Sequence, residues 1–160
     1  MDRKSDSAVQ ATNDDATQSK ASAIKRGYWN DNYIQHFCAY PSRKTPEIHR
    51  GYFIRVQAFK AITMRFIKVR RIPHSHRNFD QDHGRMCQIV NLGAGSDTLY
   101  FQLRDEDLLP RKFVEIDLAY NVSKKISVIT SKNLLNTSGI SGSELQGDTS
   151  VKSQSPNAAR

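Results

Sequence analysis

Apolar residues recur with helical spacing in the middle of the chain. Tyr52, Val56, Phe59, Ile62 and Phe66 follow one another at steps of four and three, which draws one stripe along a long helix. Thr45 reads as its N-cap, Pro46 as its first helical residue and Glu47 as an acid at the positive helix end. The helix is expected to run to about Arg71, ahead of Pro73, with Arg50, Arg55, Lys60 and Lys68 on its polar face. Upstream, Asp14 or Asp15 can cap a helix towards Arg26 that Gly27 stops. Asn32 can cap a second one through Ile34, Phe37 and Cys38, which Pro41 ends. Downstream the period changes. Residues 88–92 and 112–117 are short apolar runs that read as strands. Between them, 98–103 reads as a helix with Leu99, Tyr100 and Phe101 towards the sheet. Residues 119–130 read as another helix, with Val122, Ile126 and Ile129 on one face.

Three stretches carry no such pattern. Residues 1–13 are mostly polar and are expected to form a disordered leader. Residues 73–86 read as a loop; its histidines and aspartates match no metal-ligand spacing and are taken as solvated, with no metal expected. From 131 to 160 serine, glycine, threonine and asparagine dominate, and a poorly ordered polar tail is expected. The folded part is therefore placed at 14–130, with a helical cap over 14–72 and a βαβ unit over 87–130.

Composition adds few constraints. At 160 residues the chain is long enough for one ordinary domain. Hydrophobic residues make up 38% and mean hydropathy is −0.63, in keeping with segments outside the core. The formal net charge is +8. Residues 20–86 hold fourteen lysines and arginines against four acids, which would attract an acidic partner or solvate a helix face. Nucleic acid is the less favoured partner, because nothing beyond charge points to it. Cys38 and Cys87 form no CxxC or zinc pattern, so reduced thiols are expected. No apolar run is long enough to span a membrane, and the first residues lack a signal-peptide apolar region. A cytoplasmic location is expected.

The chemistry centres on Gly93-Ala94-Gly95-Ser96-Asp97-Thr98, directly after the first strand. Two glycines one residue apart let backbone approach a ligand, and the next helix start offers free N–H groups. The third glycine of the dinucleotide fingerprint is missing, and Asp97 is a poor neighbour for a pyrophosphate. A cofactor with a positive centre and no phosphate fits better, which points to S-adenosylmethionine. Asp117 closes the second strand 24 positions after Gly93, close to the offset of the ribose-binding acid in a βαβ unit.

Several strings together resemble the leucine carboxyl methyltransferases. They are Gly27-Tyr28-Trp29, Tyr33-Ile34-Gln35-His36-Phe37, the run from Pro46 through Arg50-Gly51-Tyr52-Phe53 to Val56, the glycine turn, and Asp105-Glu106-Asp107-Leu108-Leu109-Pro110. A related branch that methylates a modified tRNA base fits these strings less well. The resemblance implies an α/β fold: an N-terminal helical segment plus the first βαβ part of a Rossmann-like S-adenosylmethionine-dependent methyltransferase sheet, incomplete at the C-terminus. It implies a carboxyl O-methyltransferase acting on the C-terminal leucine carboxylate of the protein phosphatase 2A catalytic subunit, or a non-catalytic relative that only binds. It also implies roles for residues. Gly93 would lie against the methionine portion of the cofactor and Asp117 would hold the ribose. Arg55 would pair with a carboxylate in the pocket, and Lys20 would add positive charge near the substrate end. No catalytic base is implied, since a carboxylate is already nucleophilic.

Overall fold

The structure is a computed structural model that describes residues 3–70 and 87–135. The expected loop at 73–86 and the tail beyond 135 lie outside the described residues. Helix α1 (Arg3–Lys25) is followed by the short α2 (Ile34–Phe37) and the long α3 (Pro46–Val69). Then come β1 (Gln88–Leu92), α4 (Leu99–Asp105), β2 (Lys112–Ile116) and α5 (Ala119–Ser131). The two strands pair in parallel, from Gln88 opposite Lys112 to Leu92 opposite Ile116. Parallel neighbours need a crossover, and α4 supplies it.

Helix α1 corrects the reading of the first residues. The leader placed at 1–13 is helical from Arg3 onward, and the helix does not wait for Asp14. No glycine or proline interrupts Arg3–Lys25. Its second half is anchored through small side chains: Thr17, Ser19, Ala21, Ser22 and Ala23 are buried, and α1 packs on α3. Once that turn is fixed, each further residue adds a hydrogen bond at little cost, so the helix extends towards the N-terminus. The stop falls where expected. Gly27 has φ +79° and donates its N–H to Ile24 O, while Tyr28 N–H reaches back to Ala23 O. These two bonds make a Schellman ending around a left-handed residue, which glycine tolerates.

The N-cap of α2 is Tyr33, not Asn32, and Oδ1 of Asp31 just upstream accepts from the N–H groups of Tyr33 and Ile34. Helix α3 begins and ends as expected, with Thr45 as N-cap and Arg70 as C-cap. Its orientation differs from the expected stripe. Phe59 and Ile62 are 63% and 69% exposed, whereas His49 and Ile67 are buried. The helix is turned by the site it borders. Tyr52, Val56 and Phe59 face a cavity, and the contact with α1 falls on His49, whose Nε2 lies 2.9 Å from Ser22 Oγ. Helix α5 differs in the same way. Ile126 is half exposed, and the buried side carries Asn121 and Lys125. The apolar core gathers Ile67, Cys87, Leu103 and Leu108, with Met64, Ile89, Leu99, Leu109 and Phe113 packed against it. It draws its residues from α3, α4 and the two strands with their flanking loops.

Candidate functional site

The glycine turn is built from β2 as much as from β1. Gly93 has φ +65° and Gly95 φ +47°, so both adopt the left-handed conformation that costs other residues more. Gly93 N–H and Ala94 N–H both donate to Ile116 O, at 2.8 and 3.2 Å. Asp117 follows immediately, and its Oδ2 accepts from Gly95 N–H at 2.6 Å. Its Oδ1 accepts from Leu118 N–H at 2.6 Å and from Asn121 Nδ2 at 2.7 Å. Burial works against charge on Asp117, but the hydrogen bonds from Asn121, Gly95 and Leu118, with help from the Lys125 charge, prevail. The carboxyl therefore sits below its ordinary value and is ionised at neutral pH. A carboxylate has about four acceptor positions, so Oδ2 retains room for a further donor.

A cavity of ≈ 780 Å³ opens above this turn. Lys20, Arg55, Gly93 and Asp117, the four residues singled out in the sequence, all line it. A side chain built on Gly93 would meet nothing within 4 Å, so the backbone there borders open space. Among the described residues neither Lys20 nor Arg55 has a hydrogen-bond or ion-pair partner. Burial lowers the pKa of Lys20. Asp97 and Asp31 oppose that shift, while the Lys125 and Arg55 charges reinforce it. The cavity thus carries cations, Lys20 and Arg55, together with the acids Asp97 and Asp117, so its lining is of mixed charge.

Four residues that the sequence reading did not assign also shape the site. Asp97 lines the cavity, with Oδ2 accepting from Asn91 Nδ2 at 3.0 Å and Oδ1 from Thr98 N–H at 2.9 Å. Lys125 donates to Asp97 O at 2.7 Å and pairs with Glu115 Oε2 at 2.5 Å. Burial pushes the Glu115 carboxyl up, and the Lys125 charge pulls it back only in part. Asn121 steadies Asp117 from the next turn of α5. Asn13, on α1, reaches the glycine turn through Ser96. The clue in the sequence was spacing. Asn121 and Lys125 stand four apart on α5 and share one helix face, and Asp117 lies just ahead of that helix. Asn13 had no such mark.

Further afield, Asp31 Oδ2 accepts from Thr98 Oγ1 at 2.5 Å and Gln102 Nε2 at 3.1 Å, tying the α1–α2 connection to the start of α4. Both cysteines are free thiols. Among the described residues no group of three or more histidine, cysteine or acidic side chains could hold a metal. Among the same residues no helix is long and apolar enough to cross a membrane.

A parallel βαβ unit whose glycine turn is hydrogen-bonded to the acid after its second strand has the architecture of one part of a Rossmann-like α/β fold. Comparison with known proteins narrows this class. The profile of the family described as Leucine carboxyl methyltransferase matches residues 8–146, and the chain belongs to that family. It is 43% identical over 131 residues to Leucine carboxyl methyltransferase 1 of Bos taurus, covering 81% of this chain and 36% of that protein. The Leucine carboxyl methyltransferase 1 homolog of Arabidopsis thaliana is 41% identical over 133 residues, covering 83% of this chain and 36% of that protein. The tRNA wybutosine-synthesizing protein 4 of Rattus norvegicus is 36% identical over 110 residues, covering 68% of this chain and 15% of that protein. The chain thus spans well under half the length of the curated relatives it matches.

Proposed function

We propose that the cavity binds S-adenosylmethionine, and that the reaction it serves is methyl esterification of the C-terminal leucine carboxylate of the protein phosphatase 2A catalytic subunit. The observation that carries the reading is the convergence of Lys20, Arg55, Gly93 and Asp117 on one cavity. The residues fit the group. The unengaged guanidinium of Arg55 can take a carboxylate in two parallel hydrogen bonds. Lys20 holds an ammonium that burial disfavours, so an arriving anion would relieve it. Gly93 exposes backbone where a side chain would stand. Asp117 is ionised and can accept from a sugar hydroxyl. Asp97 suits a cationic centre and disfavours a phosphate.

When bound, the cofactor supplies an electrophilic methyl group on a sulfonium. The chain's own residues have the quieter work of binding and orienting. The acceptor carboxylate needs no general base, so the protein's contribution is alignment and exclusion of water. Positive charge at the cavity would also draw in a free C-terminus.

Calorimetry with S-adenosylmethionine tests the first half of the proposal, with Asp117→Ala as the control that should lose binding. Transfer of a radiolabelled methyl group to the phosphatase catalytic subunit tests the second half. Binding without transfer would move the reading to the alternative, a non-catalytic family member that acts by interaction. The exposed apolar residues Ile54, Ile62 and Val69 on α3 favour that alternative as a binding surface.

A further inference from the structure

Helix α1 does more than flank the cavity. Thr12, Asn13, Ala16 and Lys20 recur at helical spacing and present one face to it. Asn13 is the point at which this face touches the glycine turn. Its Oδ1 accepts from Ser96 N–H at 3.0 Å, and its Nδ2 lies 3.4 Å from Ser96 Oγ. The same carboxamide occupies the space above Gly95. A Cβ on Gly95 would lie 2.2 Å from Asn13 Oδ1 and 3.0 Å from Asn13 Cγ, but 3.8 Å from Asn13 Cβ. Gly95 is thus glycine for two reasons, its φ of +47° and the side chain of a residue 82 positions earlier in the chain. Ser96 is buried, so its N–H needs a protein acceptor. An ion pair between Asp14 and Lys124, at 2.8 Å, braces the same turn of α1 against α5.

We propose that Asn13 is a positioning residue for the ligand-binding turn. It fixes the peptide at Gly95–Ser96 in the shape the ligand meets, so docking of α1 and binding at the cavity are thermodynamically coupled. The coupling half of this inference rests on the S-adenosylmethionine reading above; the contact itself does not. Asn13 need not touch the ligand. It acts through the Ser96 N–H, next to the Gly95 N–H that Asp117 holds.

The test uses the full chain and two readouts. Hydrogen exchange on the ligand-free protein compares the parent with Asn13→Ala, a substitution that suits a helix interior. Protection of the Ser96 amide should fall about fivefold or more, as one lost hydrogen bond implies. Protection of the Gly93 amide, held by Ile116 O, should not change. Unchanged protection at Ser96 would overturn the contact. Calorimetry with S-adenosylmethionine then compares parent, Asn13→Ala, Gly95→Ala and the double variant. Asn13→Ala should weaken binding about fivefold. Gly95→Ala should weaken it more, because its Cβ meets the carboxamide. The double variant should bind more tightly than Gly95→Ala alone, since only the 3.8 Å contact remains. A double variant no better than Gly95→Ala would overturn the coupling. A parent that fails to bind would overturn the cofactor reading and the coupling with it, while the exchange result would still decide the Asn13 contact.

Discussion

Replacing Asp117 by asparagine keeps the shape and one acceptor oxygen while removing the charge. In the parent, Oδ2 serves Gly95 N–H and Oδ1 serves Leu118 N–H and Asn121 Nδ2. Asparagine can turn its carbonyl towards Leu118 and Asn121, which sets its own amide nitrogen against Gly95 N–H. Gly95 is buried, and a buried N–H without an acceptor costs about 1–3 kcal/mol. The two retained bonds pass from a charged to a neutral acceptor and weaken by about 0.5 kcal/mol each. Asp117 is itself half-buried, so water recovers part of the loss, and a net destabilisation of about 2 kcal/mol is expected. Urea unfolding followed by the emission of Trp29, which is buried beside Phe53, reads this directly. With a urea slope of about 2 kcal/mol per molar, the midpoint should fall by about 1 M at pH 7. The pH dependence supplies a second check. The folded carboxyl lies below its ordinary 3.8, so its stabilisation is fully present above that value and is lost as pH falls through the folded value. The gap between parent and variant should therefore hold from pH 7 to pH 5 and narrow below pH 3.8. Coincident midpoints at pH 7, or a gap indifferent to acid, would refute the assignment of Asp117 as the hydrogen-bonded anchor of the turn.

Three further outcomes are expected. Lys20→Met should raise thermal stability at pH 7 and weaken S-adenosylmethionine binding. Because burial lowers the folded pKa of Lys20, the unfolded chain binds the extra proton up to pH 10.5, so the parent gains stability as pH rises through that interval and the variant lacks this gain. Arg55→Ala removes an exposed side chain with no partner among the described residues, so the unfolding free energy from the urea assay should stay within about 0.5 kcal/mol of the parent. Calorimetry on the same variant should show at least about tenfold weaker cofactor binding, the loss of a charge-assisted pair. Gly27→Ala forces a Cβ into φ +79° and should cost about 1 kcal/mol of stability by the same urea assay, with cofactor affinity untouched.

Much of the fold was legible because its signals are local. Pro46 and Glu47 announce the start of α3, and Gly27 announces the end of α1. The turn at Gly93–Gly95 and the acid at Asp117 could be paired by their separation along the chain, since parallel strands joined by a short helix bring such positions together. Orientation was less legible. The spacing of Phe59, Ile62 and Phe66 is as regular as that of a buried stripe, yet these residues are exposed, and the helix contact falls on His49. Periodicity names faces but does not choose among them when two are apolar. On α5 the choice went to the polar side, because Asn121 and Lys125 satisfy Asp117, Glu115 and the Asp97 carbonyl. The first half of α1 was illegible for another reason. Its anchors are small or polar, and the value of Asn13 depends on a peptide more than eighty residues later.

The carbonyl of Ile116 takes two amide hydrogens from the glycine turn, and the very next residue is the acid that faces the cavity. In the proposed cofactor complex, the two ends of the guest would thereby be gauged from a single peptide group. A molecule whose amino-acid and sugar portions are spaced differently would find no slack to exploit, because moving one contact drags the other along. On that proposed reading, selectivity for length would be set by the backbone, and exchanging side chains around the rim should alter how tightly guests are held more readily than which lengths are accepted.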